Sequence, residues 1–266
     1  MLTARHPAPQ SADGGAYALS PAVVLLAVDD GSARLFDLDG AFYALTESAA
    51  EMLQGALAHG IDATVVRLAE RYAVAPGRIR SDIEALFDDL ARRRLIERTG
   101  ARKRRGRLRR LSARAVIGPV LRCLALFAAS ERLMVVTLIG FARVCTAMFG
   151  WGPTVEAWRA AIRPQASRSS AEDMIERIDG AIRRTAEKIP SVACKERALA
   201  CWYLLCSKGI PATLVMGVQL YPMAGHCWCQ VGDRVLTDYA RRCAAFVPIV
   251  RYESGAELSA PASRSA

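Results

Sequence analysis

The chain has 266 residues, 52% of them hydrophobic, and a formal net charge of +10. Those values exclude a disordered polymer and leave room for two small domains, each with its own core. Eight cysteines at irregular spacing, without a CxxC pair, exclude a disulfide scaffold and point to reduced thiols and a cytoplasmic setting.

The first 15 residues are Pro, Gly, Ser and Ala with no apolar period, and are expected to be disordered. They hold no basic-then-apolar signal sequence. Three short strands are predicted next, over Val23–Val28, Ala33–Leu38 and Ala41–Leu45. The turns between them are Asp29-Asp30-Gly31-Ser32 and Asp39-Gly40, which makes a meander. Three helices follow. Thr46 or Ser48 caps the first, and Ser48 with Glu51 fits a capping box; Gly60 stops it. Asp62 or Thr64 starts the second. Pro76 starts the third, whose apolar stripe is Ile79, Ile83, Leu86, Phe87, Leu90 and Leu95. Residues 16–98 thus read as one α+β unit, winged-helix-like in element order.

Residues 99–114 read as a basic linker, rich in Arg and free of acids, and a solvated tether is the expected role. Apolar helices are expected over about 115–129 and 131–149. The most apolar stretch, Leu133 to Met148, is interrupted by Arg143, and neither helix reaches the roughly 18 uninterrupted apolar residues of a membrane span. No integral membrane segment is expected. Arg159 to Ser170 reads as a polar loop. Ala171 to Lys188 is an amphipathic helix with Met174, Ile175, Ile178 and Ile182 inward, ended by Pro190. Cys194 opens a further helix that closes at Ser207-Lys208-Gly209. Strands are predicted over Ala212–Leu220, His226–Val231, Arg234–Asp238 and Ala245–Tyr252. The tail at 254–266 is expected to be disordered.

Three of these residues carry chemistry. A thiol at a helix N-terminus lies among unsatisfied N–H groups, and the helix dipole favours its thiolate. Cys194 has that position. His226 is one of three histidines in the chain, and the other two, His6 and His59, lie far upstream. Strand alternation puts His226, Trp228 and Gln230 on one face and Cys227, Cys229 and Val231 on the other. Asp238 follows across a Gly232-Asp233 hairpin that brings it back toward His226, where a carboxylate fixes an imidazole tautomer. Cys, His and Asp in this arrangement are the parts of a nucleophilic triad. The cysteines do not form the C-x₂₋₄-C knuckles of a structural zinc site, and no metal or cofactor is expected to bind the chain directly.

Several runs together resemble a known family. They are Cys194-Lys-Glu-Arg-Ala-Leu-Ala, the stretch from Leu204 through Gly209-Ile210-Pro211 to Val218, His226-x-Trp228, and Val231-Gly-Asp-Arg-Val-Leu-x-Asp238. Over 115–253 the chain is similar to the transglutaminase-like cysteine proteases of lasso peptide biosynthesis, with Cys, His and Asp in the family order. Gly225 and Cys227, beside the His, depart from the small aliphatic residues of that family. Residues 16–98, through Asp37-Leu-Asp-Gly-Ala-Phe-Tyr-Ala-Leu-Thr46, resemble the PqqD-like peptide-recognition domain.

The resemblance implies an α+β chain in which a leader-binding meander with three helices is fused to a papain/transglutaminase-like cysteine protease core. It implies catalysis by Cys194, His226 and Asp238. It also implies that the leader of a ribosomally made precursor peptide binds as an added strand near Phe42, Tyr43, Ile79, Ile83 and Leu86. These five also read as core. The partner implied is an ATP-dependent, asparagine-synthetase-like lasso cyclase. Acyl transfer to an amine is the alternative reaction on the same fold. A nucleic-acid-binding winged helix is disfavoured by Asp82, Glu84, Asp88 and Asp89 on the third helix, so no nucleic-acid partner is expected.

Overall fold

A computed structural model describes residues 3–5, 17–127, 130–164, 170–189 and 191–254. The chain divides into two compact units, residues 1–108 and 109–266.

In the first unit, short apolar-rich runs build the antiparallel meander β3 (Val23–Ala27), β4 (Ala33–Asp37) and β5 (Phe42–Leu45). A strand from the N-terminal stretch read as disordered, β1 (Thr3–Arg5), adds to β3, so the sheet order is β1-β3-β4-β5. The rest of 1–15 lies outside the described residues. Helices α1 (Glu47–His59), α2 (Ile61–Tyr72) and α3 (Pro76–Arg92) cover the sheet. Thr46, in extended conformation, caps α1 by accepting from Ala49 N. The Ser48–Glu51 box does not form, because Glu51 turns to Arg71 and the Tyr72 hydroxyl of α2. After α3, Arg94 adopts φ +61 and turns the chain into β6 (Ile96–Arg98), which pairs with β2 (Tyr17–Leu19) in a second small sheet. Leu95, read as the end of the α3 stripe, is buried beyond the helix. The core joins Leu25, Leu35, Leu53, Leu68, Ile83 and Phe87.

The segment read as a linker at 99–114 is helical. It forms one helix with the apolar run after it, α4 (Thr99–Phe127), which buries Ala113, Ile117 and Leu121. In the second unit, α5 (Glu131–Phe149) and α7 (Ala171–Lys188) bury the residues their periodicity selects, Met174, Ile175, Ile178 and Ile182 among them. By length and composition α5 is apolar enough to cross a membrane, with a mean hydropathy of 1.6. Its Val135, Leu138, Ile139, Ala142 and Cys145 are buried, and it packs on α7, α8 and α6 (Trp151–Ala161), a helix not foreseen behind Gly150. Helix α8 (Cys194–Ser207) lies against an antiparallel sheet of order β10-β7-β8-β9, formed by β7 (Thr213–Leu220), β8 (Met223–Val231), β9 (Arg234–Leu236) and β10 (Val247–Glu253). A short helix, α9 (Ala240–Cys243), joins β9 to β10. The core of this unit is dense in large side chains. Trp151, Trp158 and Trp202 are fully enclosed, and Trp202 Nε1 donates to Ala212 O at 3.0 Å.

Candidate active site

Cys194 occupies the first position of α8 and is half-buried. Glu196, in the same turn, accepts from the backbone N–H of Ala193 at 2.8 Å and so closes the helix start. Ala193 has no side-chain acceptor, so only the Glu half of a capping box exists. The backbone N–H groups of Cys194, Lys195 and Glu196 lie in the turn where an α-helix leaves donors unpaired.

His226 lies in the middle of β8, opposite Gly217 of β7. Packing demands that glycine, since a Cβ there would meet the Trp228 ring and the Val247 carbonyl, each at 3.0 Å. The imidazole neighbours two aromatic rings, Trp228 at 6.1 Å and Phe246 at 5.0 Å between centroids. On the opposite face of β8, Cys227 and Cys229 are buried, and Cys229 meets Cys201 of α8. Both faces of the strand are therefore enclosed at His226.

The strand preceding Asp238 ends earlier than predicted, at Leu236. Thr237 takes φ +67, and that left-handed step carries Asp238 out of the strand. A β-branched residue in this conformation costs roughly 1–2 kcal/mol, so the surroundings must hold it. The step sets Asp238 Oδ2 3.0 Å from His226 Nε2, with both side chains almost wholly buried. This is a hydrogen-bond distance without hydrogen-bond alignment. Alignment of such pairs commonly tightens only when substrate binds. Asp238 Oδ1 accepts from Tyr239 N at 2.8 Å.

Two arginines not singled out in the sequence approach the carboxylate. Arg242 Nη1 is 3.5 Å and Arg197 Nη2 is 4.0 Å from Oδ2. Arg197 stands three residues after Cys194, on the same side of α8. It therefore brings the first turn of that helix to the His–Asp pair. Burial pushes the His226 pKa below its ordinary value. The Asp238 charge opposes that shift, and Arg242 and Arg197 add to it. Burial and the two guanidiniums thus favour the neutral imidazole, whose Nε2 faces Asp238. The neighbouring thiols are driven the other way. Burial raises Cys227 and Cys229 well above the usual range and Cys243 to about 11.

In the first unit, β5 is an edge strand, paired with β4 on one side. Phe42 stacks on Phe36 at 4.5 Å, and the Arg93 guanidinium lies 5.7 Å over Tyr43. Phe42, Tyr43 and Leu86 are half-buried. Ile79 and Ile83 are not available beside them. Ile83 is fully enclosed and Ile79 nearly so, because both face inward from α3 onto the core.

A helix opened by a half-buried cysteine, packed on an antiparallel sheet that carries a buried His–Asp pair, defines the second unit as a transglutaminase-like α+β domain. Residues 136–251 match the family model described as Transglutaminase-like superfamily, and residues 22–96 match the model of Coenzyme PQQ synthesis protein D. The chain joins a PqqD domain to a transglutaminase-like domain. No curated protein and no solved structure matches it.

Proposed function

We propose that this chain is a cytoplasmic cysteine peptidase that binds the leader of a ribosomally made lasso precursor and cuts it from the core peptide. A partner ATP-dependent cyclase then closes the macrolactam on the freed amine. The observation that carries the reading is the buried His226–Asp238 pair beside the first turn of a helix that Cys194 opens. The PqqD domain supplies the substrate class.

The chemistry follows from the residues. His226 Nδ1 takes the thiol proton, and the thiolate attacks the scissile carbonyl carbon. The oxyanion is held by backbone N–H groups of the first turn of α8. The resulting imidazolium returns the proton to the leaving amine, which departs with the core peptide. The leader remains as a thioester on Cys194. His226 then activates water, which releases the leader acid and restores the thiol. Asp238 holds the imidazole tautomer throughout. Leader binding uses the open edge of β5, with Phe42, Tyr43 and Leu86 beside it.

The test is mass spectrometry of a lasso precursor incubated with wild-type protein and with Cys194→Ala. Separate leader and core from the wild type alone support the reading, and equal cleavage by both sinks it. An added amine joined to the leader in place of water would assign acyl transfer instead.

A further inference from the structure

One face of α7 meets the segment that carries Asp238, residue by residue. Glu172 pairs with Arg234 at the start of β9, and Glu176 lies 3.9 Å from the same guanidinium. Those contacts are exposed and weak. Two turns further on they become enclosed and short. Asp179 Oδ1 accepts from the Thr237 backbone N–H at 2.6 Å. Arg183 Nη2 donates to the Asp238 carbonyl at 2.6 Å, and its guanidinium covers the Tyr239 ring at 5.2 Å. Asp179 and Arg183 also join each other at 2.7 Å, with side chains only 15% and 28% exposed. The positions 172, 176, 179 and 183 follow helical spacing, so a single rigid helix fixes the register of the whole segment.

We propose that Asp179 and Arg183 are positioning residues that hold the Asp238 carboxylate against His226 by clamping the Leu236–Thr237 peptide before it and the Asp238–Tyr239 peptide after it. The clamp lies where the backbone needs it. Thr237 is held at φ +67, which a β-branched residue leaves unless restrained. Its own hydroxyl turns back to the Leu236 carbonyl at 2.6 Å and so does not hold it to the helix. Asp179 captures the N–H of Thr237, and Arg183 the carbonyl of Asp238 itself. Oδ2 of the carboxylate is left for His226, with Arg197 and Arg242 as its other charged neighbours, while Oδ1 accepts from Tyr239 N. Neither clamp residue reaches the imidazole, and both act through Asp238. The inference rests on the reading that Asp238 serves His226.

The test is the pH dependence of Cys194 alkylation by iodoacetamide in the full chain carrying Cys123→Ser. It needs no peptide substrate, so it fails or succeeds separately from the lasso assignment. Asp179→Asn and Arg183→Gln are each expected to lower the rate at pH 6, relative to pH 9, by about tenfold, as Asp238→Ala does, because an imidazole no longer held by Asp238 is not in place to take the Cys194 proton. Arg183→Lys, which keeps a cation and a donor, is expected to fall between. Adding Thr237→Gly to Asp179→Asn should restore part of the low-pH rate, since glycine adopts φ +67 without a Cβ penalty. Folded Asp179 and Arg183 variants whose profiles coincide with wild type, while Asp238→Ala differs, overturn the clamp. A wild-type profile in Asp238→Ala overturns the reading of Asp238 and the clamp with it.

Discussion

His226 and Asp238 meet at 3.0 Å inside the second unit, although they lie on segments separated by a full hairpin and a left-handed residue. Both side chains are almost wholly buried, and the titration of the pair follows from that.

Because burial holds the His226 pKa below that of a free imidazole, the folded protein binds fewer protons than the unfolded chain over the window between the two values. Its contribution to stability is complete above about pH 6.5 and is lost as pH falls through the depressed folded value. Urea titrations across that range should show a midpoint that declines with acid, and His226→Gln should flatten the decline. The acid limb of kcat/KM should likewise fall below pH 6.5. Asp238→Ala should reduce kcat by about 10²–10⁴-fold, the range for loss of effective general acid–base catalysis.

Thiol exposure separates Cys194 from most of its seven companions. Cys123 is exposed and Cys194 half-buried, while the other six are buried. Cys145 and Cys243 are each raised to about 11. Iodoacetamide at neutral pH should therefore label Cys123 and Cys194 in the native protein and all eight cysteines after unfolding. Peptide mapping reads this directly. In Cys123→Ser, modification of one thiol should abolish cleavage.

Gly217→Ala probes the packing under the imidazole. Its Cβ would press on the Trp228 ring and on a backbone carbonyl that cannot swing away. The expected cost is about 1–3 kcal/mol of stability, read by thermal melting. Because Gly217 faces His226 across the ladder, kcat should drop further than the stability change explains.

The first unit offers a contrast between core and ligand surface. Ile83→Ala should destabilise that domain by about 2–5 kcal/mol through a buried cavity and leave leader affinity unchanged while the domain stays folded. Phe42→Ala and Tyr43→Ala should instead raise KM for the precursor roughly tenfold with little change in kcat, as loss of an aromatic anchor does. Fluorescence anisotropy of a labelled leader and steady-state kinetics separate the two behaviours.

These sites were unequally legible in the sequence. Cys194 at a helix start, the inward residues of α7 and the meander over 23–45 follow from local patterns, and the structure has them. The position of Asp238 does not. It depends on a threonine with positive φ, a residue type for which sequence offers no such signal. Asp179 and Arg183 look like an ordinary i,i+4 pair on a helix surface, and only tertiary packing turns them toward Thr237 and Asp238. Arg197 was detectable in principle, since it lies on the same side of α8 as Cys194. Helix α6 stayed hidden because Gly150, Gly152 and Pro153 mark a turn, whereas Pro153 is tolerated in the first turn of the helix. The arginine-rich stretch has no apolar period, which gave no sign that α4 runs through it.

The most direct measurement is the intact mass of the protein, quenched by acid during turnover of the precursor. A transient adduct of the leader fragment less one water is expected, located by peptide mapping to Cys194 and lost in Cys194→Ala. Cleavage that proceeds undiminished in Cys194→Ala, with no adduct on the wild type at any time, would contradict it.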